Sequence, residues 1–336
     1  MASMQSIGRL AHTLRVLWAT ALTAGIVASG SAGAASPADN FPNKPIRLIV
    51  GFAAGGPTDL QTRVMAQWLT DRLGQSVLVE NRVGGGGNIA TEAVVRAPAD
   101  GYTILIIATA NAINTSLYPS LPFNFARDID PVAGMGRISY IVAVHPSLPA
   151  RTIPELIAYA KANPGKINYA SGGLGGSSHL SVELFNGAAG TRLMHIPYKG
   201  NTAAYADVLS GRVPLIFADR GSAWQFIQAG QLRALAVTST TRQESMPNIP
   251  TVAETLPGFE ASAWYGFGAP RGTPPEIIDK LNAAINAGHR NPGVQQKFRE
   301  LDAQHIVMSP AEFRAFLTSE AARWGKAVRD SGAKPE

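Results

Sequence analysis

Two glycine-rich turns are the parts of this sequence whose residue types best suit chemistry. The first, Gly55-Gly56-Pro57-Thr58-Asp59, follows the apolar run Ile46–Val50, and the second, Ser171–Ser178, follows Ile167–Ala170. A strand that passes through such a turn into a helix places unpaired N–H groups at the strand's carboxyl end, where an anion is favoured. We predict two anion sites that grip opposite ends of one ligand if they belong to different domains. Taken alone, either turn is equally well explained as a short connection.

Side chains that could act as acid, base or nucleophile are few around these turns. Ser177, Ser178 and His179 are adjacent, but neighbours on a first helical turn point apart, and no carboxylate is placed to orient the histidine. We therefore predict no catalytic residue and expect His179 to pack or to line the cleft; a secreted serine hydrolase is the alternative. Asp59 is interpreted as a cap or first-turn acid of its helix, or else as a ligand-facing group that selects an amine or hydroxyl.

Nucleotide and metal sites are excluded by motif spacing. The segment Gly85–Ala90 matches G-x-G-x-x-A after a strand, yet the ribose-binding acid expected about 20 residues later is replaced by Leu105. No P-loop motif occurs in the chain. The sequence has no cysteine, and its histidines lack the spacing of zinc ligands. We predict neither a cofactor nor a metal.

The strands that would hold these turns are predicted from short apolar runs rich in β-branched residues. These runs are Ile46–Val50, Val77–Val79, Tyr102–Ala108, Ile138–Val144, Ile167–Ala170, Leu215–Phe217 and Leu235–Val237. Helical patterns separate them, so the order predicts an α/β fold with parallel sheets and helices on their faces. Two α/β units and a helical tail are the expected organisation.

The helix boundaries are predicted from capping residues. Asn88 is predicted to cap a helix over Ile89–Ala97. Capping boxes at Thr152, Thr273 and Ser309 predict three further helix starts, because a Glu stands three residues after each.

Composition places the chain among globular, exported proteins. Its 336 residues suggest two domains, and 46% apolar residues exclude a disordered chain. Arg9, Arg15, an apolar run over 16–28 and Ala32-x-Ala34 predict a secretory signal peptide over residues 1–34. Its removal lowers the formal charge from +6 to +4, and the remaining Lys and Arg residues are scattered. We predict a soluble periplasmic protein that binds no nucleic acid.

Several sequence segments, taken in chain order, match those of one receptor family. They are Phe41–Val50, Phe52–Asp59, Val79–Arg82, Gly85–Ile89, Ala97–Thr103, Tyr169–Gly172, Ser178–Leu180, His195–Gly200 and Pro250–Glu254. From about Phe41 to its end, the chain resembles the Bug family, the periplasmic substrate-binding receptors of tripartite tricarboxylate transporters. The ordered set is far more specific than any single phrase.

The resemblance implies a type II periplasmic binding protein, in which two α/β domains joined by a two-strand hinge clamp a ligand. The expected domains are residues 36–135 with 260–336, and residues 136–259. Members bind small carboxylates, among them di- and tricarboxylates, acidic amino acids and aromatic acids. The expected partners are such a ligand and the membrane permease subunits, and the expected state is a monomer. A sensor receptor that reports a carboxylate to a signalling partner is an alternative function.

Candidate site residues follow from the same resemblance. The two glycine-rich loops would hold the ligand's carboxylate through backbone N–H groups, hydroxyls and ordered water, and strand ends at the same edge supply weaker candidates. The predicted ligand-binding residues are Phe52, Ala54, Gly55, Gly56, Thr58, Asp59, Thr109, Asn111, Ser171, Gly172, Gly175, Ser177, Ser178, His179, Tyr198 and Asp219. Gly172 and Gly176 depart from the family pattern, in which a small hydroxyl residue is more common, and this leaves the identity of the carboxylate open.

Overall fold

The computed structural model describes residues 38–198 and 200–335. The predicted signal peptide, residues 1–34, lies outside the described residues. Within them, two β-sheets flanked by helices form two α/β domains. The predicted α/β class is confirmed.

The strands divide between a six-stranded and a five-stranded sheet. In chain order they are β1 (Ile46–Val50), β2 (Val77–Asn81), β3 (Thr103–Ala108), β4 (Ile129–Ser139), β5 (Ile141–Val144), β6 (Asn168–Ser171), β7 (Met194–Pro197), β8 (Leu215–Ala218), β9 (Arg233–Val237), β10 (Ser262–Pro270) and β11 (Gln304–His305). The first sheet has the order β11-β4-β10-β3-β1-β2, and the second β7-β6-β8-β5-β9. Each sheet has a parallel part, β2-β1-β3 and β7-β6-β8, and antiparallel strands beside it.

The helices lie on the faces of these sheets. In chain order they are α1 (Pro57–Leu73), α2 (Asn88–Val95), α3 (Thr109–Leu117), α4 (Phe125–Asp128), α5 (Ile153–Ala162), α6 (Ser177–Ala189), α7 (Asn201–Leu209), α8 (Arg220–Gln228), α9 (Pro275–Gly288), α10 (Pro292–Glu300) and α11 (Pro310–Ser331). Short 3-10 helices occupy Gly85–Gly87 and Val252–Glu254. None of the helices described is both long enough and apolar enough to span a bilayer.

The apolar run of β1 is buried on both faces because helices cover both sides of the sheet. Leu48 packs into the core that contains Met65 of α1, whereas Ile49, on the opposite face, packs into the core that contains Val94 of α2. A run without polar alternation is typical of such a doubly covered parallel strand. The strand prediction over Ile46–Val50 is therefore confirmed.

The predicted single strand over Ile138–Val144 is wrong, because the chain changes sheets within it. Residues up to Ser139 belong to β4 of the first sheet, and residues from Ile141 belong to β5 of the second. A continuous apolar run marks burial but carries no information on which sheet supplies the neighbours. The chain returns between β9 and β10, so two crossing segments join the domains. The exact domain boundaries, residues 135/136 and 259/260, stay a prediction.

Two of the predicted caps are also wrong. Gly87, with a φ of +93°, is the N-cap of α2, and Asn88 is its first helical residue. Thr273 does not cap α9, since the helix begins at Pro275 and the Thr273 hydroxyl donates to the carbonyl of Pro270. A residue that precedes a proline avoids helical backbone angles, so Pro274 cannot enter the helix ahead of Pro275.

The other two predicted caps are confirmed. The Thr152 hydroxyl accepts a hydrogen bond from the Glu155 N–H at the start of α5. Ser309 and Glu312 form a complete capping box at the start of α11. That last helix packs against α3 of the first domain and α6 of the second.

Candidate functional site

A cavity of about 530 Å³ lies between the two domains, at the edge where both predicted glycine turns are found. The first domain contributes the loop after β1 and the start of α3, and the second contributes the loop after β6 and the starts of α7 and α8. The two turns therefore meet at one cavity. Open α/β sheets bind ligands at this edge.

Five helices within the described part of the chain begin at the cavity wall. First-turn residues of each helix line it, and these are Thr58 of α1, Thr109 of α3, Ser177 of α6, Asn201 of α7 and Ser222 of α8. A helix N-terminus carries a partial positive charge and N–H groups without partners inside the helix. The wall is therefore electropositive through its backbone alone.

Three of these helix starts have a glycine at the N-cap. Glycine occupies the N-cap of α1, α6 and α7, at Gly56, Gly176 and Gly200, and no side-chain cap is made there within the described residues. By contrast, hydroxyl side chains cap α5 and α11, which begin away from the cavity. An anion placed in the cavity would satisfy first-turn N–H groups that these glycines leave unpaired.

Asp59 holds the first loop together instead of lining the cavity. Its carboxylate accepts the Gly55 N–H at 2.9 Å, both Arg63 Nε at 2.8 Å and Nη2 at 3.0 Å, and Asn81 Nδ2 at 2.9 Å. Burial raises the pKa of Asp59, but the hydrogen bonds from Arg63, Gly55 and Asn81 outweigh it and the net pKa is lowered. The carboxylate stays charged and fixes the position of Gly55 and, through Asn81, of the Phe52 carbonyl.

Hydroxyl and imidazole groups hold the second loop in a similar way. Ser171 Oγ lies 2.6 Å from His195 Nε2, and Ser178 Oγ accepts the Gly172 N–H at 3.2 Å. His179 Nδ1 accepts the Gly175 N–H at 3.0 Å, and its ring stacks on that of His195 at 3.8 Å. These bonds shape the loop so that its backbone faces the cavity.

The catalytic alternative is not assembled by this geometry. Ser177 bonds to Tyr140 and Ser178 to Gly172, so neither hydroxyl reaches His179. Burial, with a smaller effect of His195, lowers the pKa of His179 to about 3, which makes its ring a poor base at neutral pH. Ser171 does contact His195, but it is fully buried and out of reach of a substrate.

The predicted ligand-binding residues divide into two groups by position. Those at the cavity wall are Phe52, Gly56, Thr58, Thr109, Gly172, Gly175, Ser177, Ser178 and Asp219. Those that do not line it are Ala54, Gly55, Asp59, Asn111, Ser171, His179 and Tyr198. Asp59, Asn111, Ser171 and His179 are buried behind the wall, whereas Ala54 and Gly55 are exposed.

Besides Asp59, Ser171 and His179, two more residues of the second group have structural partners. Asn111 Oδ1 accepts the Ala108 N–H, and its Nδ2 donates to Thr91. The Tyr198 hydroxyl donates to Asp207 at 2.7 Å.

At two glycines of the second loop, other residues occupy the space where a side chain would lie. A Cβ at Gly172 would lie 2.9 Å from Asn201 Oδ1, so the amide of Asn201 fills the place where a side chain at 172 would stand. Gly175 has a φ of +70°, and a Cβ there would lie 2.4 Å from Leu117 of the other domain. The loop and α3 therefore approach each other closely across the cavity mouth.

Two buried tyrosines at the wall were missed by the sequence analysis. Tyr140, in the crossing segment between the sheets, bonds through its hydroxyl to Ser177 Oγ at 2.7 Å. Tyr265, on β10, bonds to the side chain of Thr58. Burial raises the pKa of both phenols, so both remain protonated and each braces the first turn of one helix, α6 or α1. Both tyrosines reach the cavity wall because of how the chain passes between the two sheets, and the sequence pattern does not predict that path.

Two α/β domains around a cavity walled by helix N-termini define the class of periplasmic solute-binding proteins. Residues 61–333 match the family model described as "Tripartite tricarboxylate transporter family receptor". The chain belongs to this family, whose members are periplasmic substrate-binding receptors, and the resemblance to Bug proteins is confirmed.

Named relatives and solved structures support this assignment. Protein BugT of Bordetella pertussis strain Tohama I is 40% identical over 309 residues, which cover 90% of this chain and 95% of BugT. The structure titled "R. palustris Rpa4515 with adipate" is 35% identical with a TM-score of 0.77 and covers 88% of this chain and 100% of that one. MatC of Rhodopseudomonas palustris with bound malate is 28% identical with a TM-score of 0.72, over 86% of this chain and 100% of MatC. Carboxylates are thus the ligands of two solved neighbours.

Proposed function

We propose that this protein is a periplasmic receptor that captures a small organic carboxylate in the cavity between its domains and delivers it to a tripartite tricarboxylate transporter. Capture is non-covalent, and the domains close on the ligand by bending at the two crossing segments. The adipate and malate of the solved neighbours support the ligand class. Membership of the receptor family supports the transporter as partner.

The observation that carries the proposal is the pair of uncapped helix starts on opposite sides of one cavity. Gly56 ends the loop of the first domain and Gly176 the loop of the second, and both lie at the wall. A carboxylate has two oxygens and about four acceptor sites, so one group can accept N–H donors from both helices at once. Binding would then bridge the domains and favour the closed arrangement.

A thermal-shift screen tests the ligand class. Purified protein is heated with mono-, di- and tricarboxylates and acidic amino acids, and with neutral sugars as the matched controls. A ligand at about 100 times its Kd adds about 2.7 kcal/mol to the free energy of unfolding, which raises the melting temperature clearly. A rise with a sugar and with no carboxylate would show that the ligand class is wrong.

The transporter partner requires a separate experiment in membranes. We expect the ligand-loaded receptor to be cross-linked to permease subunits and the ligand-free receptor to be cross-linked less. Recovery of a signalling receptor in place of permease subunits would support the sensor function instead.

Export and the absence of catalysis belong to the same proposal. The mass of the protein recovered from the periplasm should correspond to cleavage after residue 34, and its elution volume to a monomer. Incubation with a simple ester should give no turnover. Ester turnover by the wild type that disappears in His179→Ala would support the alternative function of a secreted serine hydrolase.

A further inference from the structure

The charged groups around the cavity are unevenly distributed. Among the described residues that line it, Asp219 carries the only ionisable carboxylate, and no Lys or Arg is present. The positive potential at the wall comes from helix N-termini, whereas the negative charge comes from this one side chain. A ligand that fits the whole cavity therefore needs an anionic part and a part that tolerates or requires Asp219.

Asp219 is held in place but is not saturated by its protein contacts. Its Oδ1 accepts the Ser222 N–H at 2.9 Å, and its Oδ2 accepts the Ser222 hydroxyl at 2.8 Å, which caps α8. A carboxylate offers about four acceptor sites. The contacts to Ser222 leave acceptor capacity on a side chain that is half-buried at the cavity wall.

A second acceptor lies on the same side of the cavity. The Asn201 side-chain oxygen is buried and has no hydrogen-bond partner among the described residues. Asn201 lines the cavity and, like Asp219, belongs to the second domain. A buried acceptor without a partner is unfavourable, so a ligand donor that reached this oxygen would recover the loss.

These acceptors disfavour a second carboxylate and favour a cationic donor. Like charges held close together at a partly buried site repel, and unlike charges attract, more strongly than they do in water. An ammonium supplies three N–H donors and a positive charge in one compact group.

We propose that the ligand is an amino acid or a similar zwitterion, an inference that rests on the proposed function. Its carboxylate would lie at the starts of α1 and α6, and its ammonium would pair with Asp219. Asp219 is then the residue that selects amine-bearing carboxylates over carboxylates of the same shape without an amine.

Titration calorimetry with matched pairs tests this selection. The probes are L-glutamate with glutarate, L-aspartate with succinate, and 4-aminobutyrate with butyrate. In the wild-type protein the amine-bearing member of at least one pair should bind tenfold or more tightly than its partner. In Asp219→Asn this preference should vanish, because the amine-bearing member weakens tenfold or more while the other is unchanged or tightens.

The substitution and its control are chosen to leave the fold intact. The asparagine oxygen can still accept the Ser222 N–H, so α8 keeps its cap. Asp207→Asn removes another carboxylate of the second domain, one that bonds to Tyr198 and Arg212 and does not line the cavity. Its affinities should equal those of the wild type.

The contradicting results separate this inference from the proposed function. If the members without an amine bind as tightly as their partners, and Asp219→Asn leaves the ratio unchanged, then the selection is wrong and carboxylate capture stands. If no amine-bearing probe binds the wild type but another carboxylate of the thermal-shift screen does, the selection is wrong and carboxylate capture stands. If no carboxylate binds at all, both are wrong.

Discussion

At the scale of single residues, polar groups around the cavity serve mainly to shape the backbone. Asp59 and Ser171 are polar residues in loops rich in glycine, which made them candidates for ligand contact. The structure places both behind the wall, where Asp59 anchors Gly55 and Ser171 bonds to His195. Residue type and loop position indicated the two loops that line the cavity. The direction of each side chain depends on partners distant in sequence, such as Asn81 and His195, and could not be predicted.

Asp59→Ala should destabilise the protein. Removal of the buried carboxylate leaves the Gly55 N–H and the Asn81 amide without an acceptor and Arg63 without its ion pair. We expect the free energy of unfolding to fall by about 2 kcal/mol, measured in urea at pH 7.5. Asp71→Ala, at an exposed position of the same helix, should change it by less than about 0.5 kcal/mol. Equal stabilities of the two variants would refute the anchoring role.

At the scale of elements, the two crossing segments are joined by one threonine. Thr238 is fully buried; its Oγ1 accepts the Tyr140 N–H at 2.8 Å and donates to the Ala261 carbonyl. Its backbone also bonds to both Tyr140 and Ala261. The strands of each sheet were predictable where runs such as Ile46–Val50 are short and apolar. The strand pattern did not predict the crossings, because Tyr140 interrupts nothing in the hydrophobic pattern and β10 was not predicted. Only the family resemblance implied a hinge of two strands.

Thr238→Val tests this junction. Valine has the shape of threonine but leaves the buried Tyr140 N–H and Ala261 carbonyl without their side-chain partner. We expect a loss of about 1–3 kcal/mol in the free energy of unfolding and a lower ligand affinity, as the junction sets the angle between the domains. Thr238→Ser keeps the hydroxyl and should retain wild-type affinity. Weakened binding in the serine variant with intact binding in the valine variant would contradict the role of the hydroxyl.

Acid should destabilise the folded chain through its buried histidines. Burial lowers the pKa of His179 to about 3 and of His195 and His289 to about 4, below the ordinary value of 6.5. Between pH 6.5 and about 4 the unfolded chain therefore binds protons that the folded chain does not, so stability falls as pH falls. Each such histidine lowers the free energy of unfolding by at most about 1.4 kcal/mol for each unit by which the pH falls in this range.

Urea unfolding at pH 7.5, 6.5, 5.5 and 4.5 measures this dependence. The free energy of unfolding should be flat above about pH 7 and decrease below pH 6.5. Protonation of paired carboxylates contributes only at lower pH, since the ordinary pKa of Asp and Glu lies near 4. A free energy that is constant down to pH 4.5 would show that these rings are protonated equally in both states.

At the scale of the whole molecule, two domains bring five helix N-termini to one cavity. The sequence analysis predicted two of them, after Gly56 and Gly176, because only these follow glycine-rich turns with a strand before and a helix after. The starts of α3 and α8 were expected only through the weaker strand-end candidates Thr109 and Asp219, and the start of α7 was not predicted. Net charge is therefore a poor guide to this ligand, since the attraction for a carboxylate arises from backbone groups.

An aspartate at the N-cap of α6 tests whether helix N-termini hold the ligand's carboxylate. The backbone at Gly176 has a φ of −69°, and a Cβ there meets only the Gly173 carbonyl at 3.4 Å, so a side chain fits. In Gly176→Asp the new carboxylate would accept the first-turn N–H groups and place a negative charge where the ligand's carboxylate belongs. Gly176→Asn has the same shape without the charge, and Ser309→Asp changes a cap outside the cavity.

Calorimetry with the best carboxylate of the thermal-shift screen compares these variants with the wild type. We expect a loss of affinity of at least a hundredfold in Gly176→Asp, a smaller loss in Gly176→Asn and no change in Ser309→Asp. Wild-type affinity in Gly176→Asp would contradict the claim that the helix N-termini hold the ligand's carboxylate.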